Sequence, residues 1–180
     1  MPTSDTRAGP GAANSIAGPR LRLTIQNPAG ATDIPARSTL RRWLLRALRA
    51  DADITLRYVG SAEGRRLNCD FRERDYPTNV LTFVYDTAPL RLAPARSRTP
   101  LAGDIVLCMP VVRREARANR ISLRAHLAHL SVHGTLHLMG YDHQLAKDAR
   151  VMEALEIKLL HSLGYADPYA TGRQAGTNKY

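Results

Sequence analysis

Cysteine is scarce in this chain: Cys69 and Cys108 are the only two among 180 residues. Two isolated thiols exclude a disulfide scaffold and a cysteine-type zinc site, and they suit a reducing cytoplasm. Long apolar runs are missing as well, so no stretch has the length of a membrane span. Residues 1–20 carry two Arg and one Asp among Gly, Ala, Ser and Pro. With no apolar centre they do not read as a secretory signal, and residues 1–19 are expected to form a disordered leader. Acidic residues are few. Lys and Arg total 26 against 16 Asp and Glu, a formal net charge of +10, and nearly all the positive residues are Arg. Arginine grips phosphates through bidentate contacts, which suits an anionic partner such as nucleic acid; a solvated basic surface is the other reading. There are no repeats. The length fits one domain with a sizeable core, here residues 20–165, and residues 166–180 are expected to form a disordered tail.

Strands come first. Leu21, Leu23 and Ile25 alternate with polar residues as in a half-buried strand, and Ile54–Val59 alternates in the same way. Between them Leu40, Trp43, Leu44, Ala47 and Leu48 form an apolar stripe at helical spacing, with Arg41, Arg42, Arg46 and Arg49 opposite. Ser61 is placed to cap a short helix before Leu67. Residues 68–79 read as a polar loop, Val80–Tyr85 as a short strand, and 86–100 as a flexible Pro- and Arg-containing loop. A strand over Leu101–Met109 follows, centred on Ile105, Val106 and Leu107, and then Pro110 starts a helix to about Asn119. The pattern next predicts a helix over about Ser122–Met139 and a last one over about Lys147–Leu163, stopped by Gly164. The last helix should bury Val151, Met152, Leu155, Leu159 and Leu160. Strands gathered early and helices late predict an α+β fold, a small mixed sheet packed against several helices.

The chemistry concentrates in His133-Gly134-Thr135-Leu136-His137-Leu138-Met139-Gly140-Tyr141-Asp142-His143. On a helix, His133 and His137 lie one turn apart on a single face. Gly140 lets the chain leave the helix, and His143 can then return toward the same point. One histidine on a helix is an ordinary core or surface residue; three at this spacing describe a metal site. Three imidazoles with no fourth side chain describe a catalytic centre with an open position, on a helix and the turn after it. The spacing matches the extended zinc-protease motif (His-Glu-x-x-His-x-x-Gly-x-x-His) at each ligand position, but the Glu that serves those proteases as general base is Gly134. His129, one turn earlier, reads as a packed or supporting histidine. His126 and His161 carry no signal. Asp142 either orients an imidazole or the metal's water, or is a turn residue.

Together with Leu67-Asn68, Phe71-Arg72, Asp75-Tyr76-Pro77-Thr78-Asn79-Val80-Leu81-Thr82-Phe83 and Gly103-Asp104-Ile105-Val106, the histidine segment closely resembles the bacterial YbeY family. The resemblance runs in the same order over roughly residues 20–165. It implies a metal-dependent, single-strand-specific endoribonuclease of rRNA 3′-end maturation and ribosome quality control. It also implies that His133, His137 and His143 hold one metal per chain, usually Zn2+, with another divalent transition metal as the alternative. Arg72 matches the family's functional arginine in the cleft; composition alone would not single it out. The expected partners are single-stranded RNA, rRNA and the ribosome, with a ribosomal protein or GTPase as a further partner and no membrane. The stretch at 86–100 is longer than the family's connection, and both terminal extensions fall outside its pattern.

In that reading the metal activates water or polarises a phosphoryl oxygen, and Arg72 stabilises the charge that builds on phosphorus. Asp142, the metal's own water or no protein group at all is left as general base. Two rivals stand beside it. A zinc metalloprotease is disfavoured by Gly134. A non-catalytic, metal-stabilised RNA-binding factor for ribosome assembly would use the same residues to hold its fold.

Overall fold

A computed structural model describes residues 18–85, 100–141 and 145–170. The expected leader up to residue 17, the 86–99 part of the Pro- and Arg-containing loop, and the tail from 171 lie outside the described residues. Four strands and five helices follow one another as β1 (Leu21–Gln26), α1 (Arg37–Ala47), β2 (Ala52–Val59), α2 (Ser61–Arg72), β3 (Val80–Val84), β4 (Leu101–Cys108), α3 (Met109–Ala118), α4 (Leu123–Leu138) and α5 (Ala146–Ser162). The sheet runs β1-β2-β4-β3. β1, β2 and β4 are parallel, and β3 closes one edge antiparallel to β4. The fold is the α+β arrangement with a small mixed sheet that the pattern of the chain predicts.

Burial alternates along β2, where Ala52, Ile54, Leu56 and Tyr58 face the larger core. That core fills the space between the sheet and α1, α4 and α5, with Trp43, Leu44, Leu127 and Leu136 among its fully covered side chains. The opposite residues of β3 and β4 (Leu81, Val106 and Cys108) join Val59 and Val111 in a smaller core, against which Leu67 of α2 packs. Helices therefore cover both faces. α4 is the central one and is buried nearly all round, as expected of a helix whose sequence is apolar on most sides.

Two elements differ from the sequence expectation. α2 continues through Asn68–Arg72, which the polar composition had assigned to a loop. Tertiary contacts override the weak propensity there: Asn68 is 2% exposed and donates from Nδ2 to the Tyr76 carbonyl at 2.7 Å, while Phe71 meets Phe83 edge-on at 4.8 Å. Glu73 then ends the helix in a left-handed conformation, φ 57°. Ser61 is the first helical residue rather than the cap, a place taken by Gly60. In α5 the buried stripe is Met152, Glu156 and Leu160; Val151, expected inside, is exposed.

Candidate metal centre and cleft

α4 begins where Ser122 caps it, accepting the Ala125 N–H at 3.1 Å. It ends in a six-residue turn: the Tyr141 N–H reaches the Leu136 carbonyl at 3.0 Å, the Gly140 N–H reaches the His137 carbonyl at 2.9 Å, and Gly140 sits at φ 82°. This is the left-handed helix stop for which glycine is suited. Asp142 and His143, the expected orienting residue and third ligand, lie outside the described residues.

Between these ends the helix carries four histidines on one side. His126, His129, His133 and His137 follow each other at ring separations of 6.3, 6.1 and 4.6 Å. Each is held differently. His126 Nε2 pairs with Glu115 at 2.8 Å, and the same carboxylate oxygen accepts Nδ2 of Asn79 at 3.0 Å. His129 Nε2 lies 2.7 Å from Oε2 of Glu156, and His133 Nδ1 lies 2.8 Å from Oε1 of the same carboxylate. His137 Nε2 faces His133 Nε2 at 3.1 Å.

The protonation pattern follows from Glu156. It is 1% exposed. Burial alone would raise its carboxyl, but the hydrogen bonds from His129 and His133, with their charge, hold it well below the usual carboxylate range. A carboxylate only accepts, so His133 donates through Nδ1, and in the neutral ring the lone pair is then on Nε2. That lone pair points at His137 Nε2. Two ring nitrogens facing each other need a proton or a cation between them. Ligands bound at zinc–nitrogen distances in a tetrahedron lie ~3.4 Å apart, close to the observed separation. The residues thus fit a divalent transition metal on the Nε2 side of His133 and His137, with Glu156 behind His133 as the carboxylate that fixes ring and tautomer.

A second grouping exists among the described residues: His129, His133 and Glu156 bring one donor atom each within 4.8 Å of one another. Hydrogen bonds join these same atoms, which suits the trio to support a metal on the Nε2 side of His133.

A cleft of about 340 Å3 opens over these rings. His129, His133 and His137 form one wall; Arg72 from the end of α2, with Thr78, Asn79 and Thr82 before and within β3, lines another. Arg72 therefore shares a cavity with the two histidines although 61 positions separate it from His133 in the chain (133 − 72). Tyr169 lines the cleft as well. Position 134 faces away from it. A Cβ built on Gly134 would stand 2.8 Å from Cγ2 of the fully buried Ile105, so the place of the protease Glu is pressed against the sheet.

Sequence reasoning missed Glu156 and Tyr169. Glu156 did leave a signal: an acid stands between Met152 and Leu160 on the apolar stripe of α5, where an unpaired charge would be costly. Tyr169 left none.

Fold and cleft together define an α+β protein with a histidine-walled cleft, a candidate metal centre, that an arginine also lines. The chain belongs to the endoribonuclease YbeY family, whose model matches residues 26–164. It is 53% identical over 154 residues to an endoribonuclease YbeY of Aromatoleum aromaticum, covering 84% of this chain and 94% of that one. To the endoribonuclease YbeY of Nitrosospira multiformis it is 49% identical over 174 residues, 94% of this chain and 89% of the relative. The solution structure of TM1509 from Thermotoga maritima shares the fold at 23% identity, with a TM-score of 0.50 over 89% of this chain and 96% of that one.

Proposed function

We propose that this protein is a metal-dependent endoribonuclease that cuts single-stranded RNA in rRNA 3′-end maturation and ribosome quality control. The observation that carries the reading is the pair of facing Nε2 atoms on His133 and His137, 3.1 Å apart in a cleft that also holds Arg72. We assign His133, His137 and His143 as ligands of one Zn2+, or of another divalent transition metal in its place. Membership of the endoribonuclease YbeY family supports RNA as the substrate.

When bound, the metal supplies Lewis acidity toward a phosphoryl oxygen and lowers the pKa of a coordinated water toward ~7. The chain's own residues do the rest. Glu156 anchors the His133 ring, so that its Nε2 would meet the metal in a fixed direction, with His137 Nε2 beside it. Arg72 lines the cleft, where its guanidinium would bind the scissile phosphate and stabilise the added negative charge as the phosphorus becomes pentacoordinate. Asp142 is assigned to orient the attacking group. Gly134 and the Ile105 side chain leave no protein carboxylate at the protease position, which disfavours the peptidase reading.

The catalytic unit is residues 20–165, and its expected setting is the cytoplasm, with the ribosome and a ribosomal protein or GTPase as partners. The free thiols of Cys69 and Cys108 agree with that compartment, and no helix among the described residues is long and apolar enough to cross a membrane.

Arg72→Ala separates enzyme from binding module. On a labelled single-stranded rRNA 3′-end fragment the variant should cut about 100-fold more slowly, the loss of one transition-state donor, while keeping most of its RNA affinity. Undiminished cleavage would remove Arg72 from the mechanism, and wild type that binds the fragment without cutting it would favour the non-catalytic factor.

A further inference from the structure

We propose that Tyr169, beyond the last helix, is a positioning residue for the metal-binding histidines: its phenol completes the hydrogen bonding of Glu156 and through it holds His133. The inference rests on the metal reading of the site given above.

Glu156 is a buried anion, and such a group persists only where its lone pairs are met by donors. Oε1 accepts from His133 Nδ1 and Oε2 from His129 Nε2. The third donor is the Tyr169 hydroxyl, which gives its proton to Oε2. Its oxygen also lies 3.3 Å from His129 Nε2. The carboxylate is then pinned at both oxygens, and a pinned Oε1 fixes the plane of the His133 ring.

The segment that brings Tyr169 here is built to do so. After α5 the chain reverses at Gly164, φ 85°, with the Tyr165 N–H on the Leu160 carbonyl at 2.9 Å. Tyr165 packs edge-on against the fully buried Trp43 at 5.8 Å. Asp167 then accepts the Tyr169 N–H at 2.8 Å across Pro168, and the Tyr169 ring stands edge-on to His129 at 5.4 Å. Two aromatic contacts and a closed turn thus lead the phenol into the wall of the cleft.

The test compares full-length wild type with Tyr169→Phe, which keeps the ring and deletes only the donor. Zinc affinity is measured by competition with a chromophoric chelator, and the ring 15N signals of His129 and His133 are read by NMR on the metal-free proteins. The expected result is zinc affinity at least about tenfold weaker, the usual cost of losing an outer hydrogen-bond partner, together with displaced His133 ring signals before any metal is added. Equal affinity, or a weaker one with His133 signals unmoved, would overturn the role of Tyr169. Wild type that takes up no zinc would overturn both the metal reading and this inference.

Discussion

Gly134 decides more than it first suggests. Its absence of side chain lets α4 approach β4 until only 2.8 Å would separate a Cβ from Ile105 Cγ2. Ala at this position gains up to ~1 kcal/mol of helix propensity but overpacks a buried contact at a cost of about 1–3 kcal/mol. Gly134→Ala should therefore be less stable than wild type in urea unfolding, and equal or greater stability would mean that helix and sheet part easily. The same contact explains why the protease comparison fails at one position only. At the metal, the two groupings of donors make opposite forecasts. If His133 and His137 coordinate, His137→Ala loses its metal on purification while His129→Ala retains it with affinity lowered about 10–100-fold. Metal retained by His137→Ala and lost by His129→Ala, on elemental analysis, would instead make His129, His133 and Glu156 the coordination shell.

Among the elements, α4 is legible from sequence because its signals are local: Ser122 caps it, Gly140 stops it, and histidine spacing sets its functional face. α2 was legible only in its first half. Asn68 looks like a loop former, and nothing nearby in the chain announces that its amide will reach Tyr76 and carry Arg72 into the cleft on a helix end. Glu156 and Tyr169 were missed for a related reason. Their partners lie 23 and 13 positions away, respectively, as the pairs His133–Glu156 and Glu156–Tyr169, and pair contacts at such range leave no periodicity. A second link between elements is Glu115, which ties α3 to His126 of α4 and to Asn79 at the start of β3. Burial would raise its carboxyl, but the bonds from His126 and Asn79 outweigh that and set it below its ordinary 4.5. A carboxyl depressed in the folded state adds stability that is complete above the unfolded value and lost as pH falls through the folded one. The stability gap between wild type and Glu115→Gln, measured by urea unfolding of metal-free protein, should thus be largest near neutrality and shrink below about pH 4.5. A gap independent of pH would show that Glu115 holds the elements together by shape alone.

For the molecule as a whole, the net charge of +10 is not a uniform RNA-binding coat. Arg37 and Arg41 bond to the Leu23 and Leu21 carbonyls on the free edge of β1, and Arg46 reaches Ser162 of α5. Arg113 pairs with Asp33 and Arg65 with Asp75. These arginines hold the edge of the sheet, join α1 to α5 and tie α2 and α3 to loops, a use that composition could not distinguish from phosphate binding. Arg72 is different because it faces the cleft. The α+β fold was foreseeable from strands gathered early in the chain and helices late. The convergence of α2, β3, α4 and the segment after α5 on one cavity was not, since it depends on the order β1-β2-β4-β3 that no local pattern encodes.

The central claim is that cleavage of RNA depends on a metal held by His133 and His137. The most direct measurement is cleavage of a labelled single-stranded rRNA 3′-end fragment by nuclease-free wild type and His137→Ala, each with its metal content determined on the same preparation. Wild type that contains metal and cuts, beside a folded His137→Ala that contains none and does not, is the predicted result. Equal cutting by the two proteins, whatever their metal content, would contradict it.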